Sequence, residues 1–175
     1  LAYLFRRHDV VLEMASNVKK HLAESKFYPT LELLLEKFYL GLAAYSIVRR
    51  GDVDGNNVTW RAISDNLRNE MKALSENDSK WNFEQKYFLL EAERAFTDGD
   101  VEAAATAYDK AIETAEEHRF VNELALASER AALFYLEHGN VGQARRYLEK
   151  SRSIYAAWGA KRKVEDIDTW IGSNE

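Results

Sequence analysis

Two near-copies of one pattern, forty residues apart, constrain this chain more than any other feature. The first reads F-T-D-G-D-V-E-A-A-A-T-A-Y-D-K-A-I, from Phe96 to Ile112; the second reads L-E-H-G-N-V-G-Q-A-R-R-Y-L-E-K-S-R, from Leu136 to Arg152. The shift superposes Gly99 on Gly139, Asp100 on Asn140, Val101 on Val141, Ala104 on Ala144, Tyr108 on Leu148 and Ala92 on Ala132. A fixed period of this size marks a helical repeat, in which no hairpin can bury its apolar face alone and each stacks on its neighbours. A single proline, Pro29, and eight glycines leave few breakers, which favours long helices over a many-stranded sheet.

The spacing predicts helices over Leu1–Glu24, Thr30–Arg49, Thr59–Ser75, Phe83–Thr97, Val101 to about His118, about Val121 to His138, Val141–Trp158 and Lys161–Ile171. Ser25–Tyr28, Gly51–Asn57, Asn77–Ser79 and Asp98–Asp100 read as connectors, and Gly139 and Gly159 as helix stops. The fifth helix carries the apolar seam Val101, Ala104, Tyr108, Ala111 and Ala115. The seventh repeats it as Val141, Ala144, Leu148, Ser151, Tyr155 and Trp158. Steps of three and four residues keep each seam on one stripe.

Ala92, Ala104, Ala132 and Ala144 stand where paired helices should cross, with Tyr108 and Leu148 filling the next layer. A small residue in each helix and a large one a turn later is tetratricopeptide-like logic, although the period of forty departs from that family's usual thirty-four or so. The expected fold is all-α, a tetratricopeptide-like α-solenoid of about eight helices in antiparallel hairpins. One helical-repeat domain over 1–175 is expected. It divides into a divergent repeat over 30–76, repeats over 83–119 and 121–158, and a capping helix over 160–172.

Four segments carry a closer resemblance: M-K-A-L-S-E-N (Met71–Asn77), N-F-E-Q-K-Y-F-L-L-E-A-E-R-A (Asn82–Ala95), N-E-L-A-L-A-S-E-R-A-A-L-F-Y-L (Asn122–Leu136) and Y-A-A-W-G-A-K-R-K-V-E-D-I-D (Tyr155–Asp168). They are similar to the tetratricopeptide-like helical region of very large multidomain signalling kinases. Those chains join a protein-kinase-like domain, a signal-transducing ATPase, this helical region, sensor domains and often a histidine kinase. The resemblance covers Asn82–Asp168 and, more loosely, Leu31–Glu76. It implies a regulatory or scaffolding segment, cytoplasmic and without catalytic residues of its own. The chain begins at Leu1 rather than methionine, so a piece of a longer polypeptide is expected.

The residues themselves offer little chemistry. There is no G-x-x-x-x-G-K-[ST] phosphate loop and no kinase catalytic loop. Without cysteine, disulfides, thiol catalysis and cysteine-based metal sites are excluded. Asp52, Asp54 and Asn56 share the spacing of a calcium loop, but Asn57 replaces its glycine and Ile63 its bidentate glutamate, so a polar turn is the better reading. His8, His21, His118 and His138 form no metal-ligand pair; His118 and His138 sit near helix C-termini, where the dipole favours a cation. Glu91 and Glu93, like Glu116 and Glu117, read as solvated helix faces. Most of Trp60, Trp81, Trp158 and Trp170 fall on apolar stripes and read as core.

Charge is distributed unevenly. Glu84–Glu123 holds eleven acids and four bases, whereas Gly139–Lys163 holds seven bases and one acid. A net charge of -5 argues against general nucleic-acid binding. No apolar run reaches the length of a membrane span. The expected function is a non-catalytic interaction or regulatory scaffold with no cofactor. Its partner would be a protein or peptide, another domain of its own chain, or a second copy. Arg145, Arg146, Lys150, Arg152, Lys161, Arg162 and Lys163 are the candidate partner-binding residues. The alternative is a lever or lid for an ATPase or kinase whose catalytic residues lie elsewhere.

Overall fold

The computed structural model describes residues 8–24, 30–51 and 57–172. These form α1 (His8–Glu24), α2 (Leu31–Arg50), α3 (Asn57–Asn77), α4 (Lys80–Asp98), α5 (Val101–Glu117), α6 (Val121–Glu137), α7 (Val141–Trp158) and α8 (Lys161–Gly172). No strand occurs among the described residues. The start of the first predicted helix, the connector before Thr30 and the calcium-like turn over 52–56 lie outside them.

The second half of the chain reverses direction every twenty residues. Gly99, Arg119, Gly139 and Gly159 all adopt positive φ, at 75°, 61°, 72° and 85°. After each, the next amide reaches back to a carbonyl five residues earlier: Asp100 to Ala95, Phe120 to Ala115, Asn140 to Tyr135 and Ala160 to Tyr155, at 2.8–3.0 Å. This closure satisfies carbonyls that a helix end leaves orphaned, and it demands a left-handed residue. Asp100 and Asn140 then cap α5 and α7, their side chains accepting from the amides of Ala103 and Gln143 at 3.0 and 3.1 Å. The forty-residue repeat is therefore two equal helices of one twenty-residue beat. The beat also explains exposed Val101, Val121 and Val141, which occupy the first position of α5, α6 and α7.

Each helix packs on the next, and α2 with α4 and α4 with α6 make a second set of contacts along the stack. Helices α2, α4, α6 and α8 thus form one side, and α3, α5 and α7 the other, with α1 laid against α2. The expected crossing residues Ala92, Ala104, Ala132, Ala144 and Tyr108 are inaccessible to solvent, and Leu148 nearly so. Gly41 serves the same purpose in α2: a Cβ there would stand 2.9 Å from a Leu90 methyl, so a larger residue would require that side chain to shift. The seams on α5 and α7 are buried through their centres. Their ends open to solvent, with Val141 62% and Trp158 56% exposed. Trp81 is also exposed, stacked on buried His118 with ring centres 4.5 Å apart, so only Trp60 among the tryptophans is fully a core residue.

Helix α8 repeats α6 forty residues on, but not in chemistry. The face of α6 that meets α7 holds Ala125, Glu129 and Ala132: Ser151 donates to the Ala125 carbonyl and Tyr155 to the Glu129 carboxylate. The corresponding face of α8 is Glu165, Thr169 and Gly172, all exposed.

Arg119 is the one non-glycine on the beat. A side chain with a Cβ in the left-handed region costs roughly 1–2 kcal/mol, and glycine gives part of that back as unfolded-chain entropy. Arg119→Gly should therefore raise stability by about 0.5–1 kcal/mol, whereas Gly139→Arg should lower it, both read from urea midpoints at constant slope.

Candidate interaction surface

The groups that position this surface are buried charges. Glu93, on α4, is completely buried, contrary to its reading as a solvated face. Arg130 of α6 grips it through two bonds of 2.7 and 2.9 Å; Arg49 of α2 adds one of 2.9 Å and Tyr108 of α5 another of 2.8 Å. One carboxylate thereby joins four helices. Burial pushes its pKa upward, but Arg130 and Arg49 outweigh this and hold it down at about 2. Burial and the adjacent Glu93 charge drive the Tyr108 hydroxyl well above its ordinary value, so it stays a donor.

A second buried pair, Lys86 of α4 with Glu123 of α6 at 2.9 Å, lies one heptad earlier on both helices. Along α4 the charges run plus then minus at Lys86 and Glu93; along α6 they run minus then plus at Glu123 and Arg130. A slip of one turn would break both pairs and leave charges buried without partners, which is strongly unfavourable. The device recurs between α6 and α8. There Glu129, also buried, accepts from Tyr155 at 3.1 Å and from Lys163 at 2.8 Å.

These clamps tie α4 to α6, while α5 and α7 have no backbone contact with each other. Depressions lie beside each. The larger, about 490 Å³, has Tyr87, Phe88 and Glu91 of α4 on one side and Ala103, Thr106, Ala107 and Lys110 of α5 on the other. Asp100 and Glu102 stand at its α5 N-terminal end. Lys110 holds its ammonium 5.4 Å from the centre of the Phe88 ring, and Glu91 is taken by Arg68 of α3 and Arg94. The smaller, about 210 Å³, is lined by Gln143, Arg146, Tyr147 and Lys150 of α7. Each of these four is forty residues beyond one of the α5 lining residues, so the two depressions are one surface on successive repeats. In the second, Tyr147 stacks on Tyr135 at 5.5 Å and donates to Asp109 of α5, while Lys150 reaches Glu116 at 3.0 Å. Those bonds bridge α5 to α7 and accompany the smaller volume.

The seven predicted basic residues do not form one outward strip. Arg146 and Lys150 line the second depression, with Arg146 bonded to the Gln143 amide. Arg145 pairs with Glu149 along α7, and Arg152 with Asp168 of α8. Lys161 and Arg162 are exposed. Lys163 is a correction: only 5% exposed, it turns inward to the buried Glu129 and to Asp166 and is no docking residue. A lysine that follows two exposed cations looks solvated, but α8 brings it round to a buried carboxylate.

Sequence reading missed the aromatic floor and the Glu93 clamp. Both left signals. Tyr87 and Phe88 are adjacent on one helix, so they cannot share a single seam. Lys86/Glu93 and Glu123/Arg130 show the same seven-residue interval with opposite order of sign. Among the described residues, no group of three or more histidines or carboxylates is placed to hold a metal ion, and no helix is long and apolar enough to cross a membrane. No protein-family model, curated protein or solved structure matches this chain.

The pKa of Glu93 carries a stability signature. A carboxylate at about 2 in the fold against an ordinary 4.5 contributes stability that is complete above about 4.5 and disappears as pH falls toward about 2. Glu93→Gln leaves Arg130 and Arg49 without a buried counter-charge and should cost about 3–5 kcal/mol at neutral pH. Urea unfolding across the acid range should also show a shallower loss of stability in this variant than in the parent.

Proposed function

We propose that this chain is a non-catalytic protein–protein interaction module, a regulatory scaffold segment of a cytoplasmic multidomain signal-transduction protein. The observation that carries the interaction reading is the pair of repeat-related depressions beside α5 and α7, each with aromatic rings beside a lysine. Peptide-binding surfaces take this form: apolar and aromatic contact area, with a few polar groups that fix register. The buried clamps support it too, because they hold α4 and α6 rigidly while leaving the depressions open to solvent. The signalling context rests on the similarity of Asn82–Asp168 to the helical region of large signalling kinases.

A display library of random peptides panned against the immobilised chain tests the interaction reading. Enrichment of related sequences is expected, with binding reduced at least about tenfold by Tyr87→Ala combined with Phe88→Ala, since aromatic anchors carry much of the energy at such surfaces. Failure of any sequence to enrich, or equal binding to the double variant at unchanged helicity, overturns it.

A further inference from the structure

We propose that the larger depression takes an extended peptide carrying a basic residue, an apolar anchor two residues from it and an acidic residue two residues beyond the anchor. This rests on reading the depression as a peptide surface. Its two ends carry opposite charge that the molecule itself leaves unpaired. At one end Asp100 and Glu102 are exposed; Asp100 lends one oxygen to the Ala103 amide, and no cation is bonded to either carboxylate among the described residues. The arginines of α3 and α4 are engaged elsewhere: Arg61 with Asp65 and Asp98, Arg68 with Glu91, and Arg94 with Glu91 and Asp98. The N-terminus of α5 offsets only about half a unit of charge. At the other end Lys110 is exposed, its ammonium 5.4 Å from the centre of the Phe88 ring. Among the described residues no carboxylate is bonded to it, Glu113 one turn further along α5 included.

Helix geometry fixes the spacing. Glu102 and Lys110 are eight residues apart on α5, which is about 12 Å along the helix axis. In an extended peptide, residues i, i+2 and i+4 point the same way, and i to i+4 spans about 13 Å. A basic side chain at i, set against Asp100 and Glu102, therefore brings an acidic one at i+4 to Lys110. Between them the side chain at i+2 meets Thr106, which lies four residues from each charge. Tyr87 and Phe88 form the α4 wall at that level, and the small Ala103 and Ala107 leave room for an anchor. A helix covering the same length, about 10 Å across, would occupy roughly 900 Å³. The depression holds about 490 Å³, which suits an extended chain. The pattern has one seat. Forty residues on, Asn140 and Gly142 replace both acids and Arg146 replaces Thr106, so the charged lining of the second depression is cationic throughout.

Four synthetic peptides with blocked ends, K-A-F-A-E, E-A-F-A-K, K-A-F-A-K and E-A-F-A-E, test this when titrated into the whole 175-residue chain and followed by amide NMR shifts. The two mixed peptides can satisfy both ends by lying in opposite directions. Each should bind roughly fivefold tighter than either like-charged peptide, the scale expected when one exposed ion pair is exchanged for a repulsion. Added salt should narrow the difference. Glu102→Lys should make E-A-F-A-E the tightest of the four, and Lys110→Glu should do the same for K-A-F-A-K. Such a gain cannot arise from misfolding. Equal binding of all four peptides, failure of the mixed peptides to bind, or a ranking that neither reversal alters overturns the proposal. Library selection that depends on Tyr87 and Phe88 but shows no charge order would leave the interaction module standing and remove only the charge reading. Mixed peptides that bind equally well after Tyr87→Ala with Phe88→Ala would remove both.

Discussion

A carboxylate with no access to water, held by two guanidinium groups and a phenol, is the fixed point of this structure. Glu93 receives bonds from α2, α5 and α6 while belonging to α4 itself. Its value does not lie in net energy. Bringing these charges out of water costs about as much as their attraction returns, and an apolar cluster of the same shape would hold the helices as firmly. What the charges add is discrimination. Alanine-rich crossings such as Ala92 on Ala104 are smooth and tolerate sliding by a turn, whereas a buried Glu93 tolerates only the one register in which Arg130, Arg49 and Tyr108 arrive together. Lys86 with Glu123, two turns away and with reversed polarity, makes the constraint directional.

The surface inherits that rigidity. The floor of the larger depression, Tyr87 and Phe88, is on the same helix as Glu93, one to two turns before it. Their positions are set by the clamp beneath them rather than by any occupant. The two repeat copies of the surface have diverged in a graded way. Lys110 and Lys150 keep their identity; Ala103, Thr106 and Ala107 become the longer Gln143, Arg146 and Tyr147. Longer side chains partly fill the second copy, and the Tyr147–Asp109 and Lys150–Glu116 bonds tie it to α5. Much of the opposite charge seen in the sequence is thus consumed inside the molecule, between neighbouring helices.

Most of the architecture was legible because it is written in period and in punctuation. Alanine and glycine at fixed spacing mark crossings and turns whatever surrounds them, and seven of the eight helices begin and end near their expected limits within the described residues. The finer beat of twenty stayed hidden behind Arg119, which adopts a glycine's backbone without being one. Side-chain fate was harder to read. Whether Glu93 or Lys163 meets water depends on which groups arrive from helices about forty residues away, and a one-dimensional pattern lists both simply as charged positions on amphipathic helices. The same limit applied to Trp158: apolar spacing placed it on the seam, but the seam runs out of neighbours at the helix end.

The polar face of α8 has a consequence for how such an array can grow. A hairpin stacked there as α7 stacks on α6 would place Glu165 where Ala125 now sits, trapping a carboxylate against helix backbone. A duplicated forty-residue unit entering ahead of α8 avoids that burial, because it leaves the polar face of α8 as it is. The twenty-residue beat makes such an insertion phase-neutral, since the four junctions from α4 to α8 begin from the same left-handed turn. The protein therefore behaves as a chain of interchangeable links with one link that is not interchangeable, and an engineer wishing to widen its binding side should cut at Ala160 rather than build outward from Gly172.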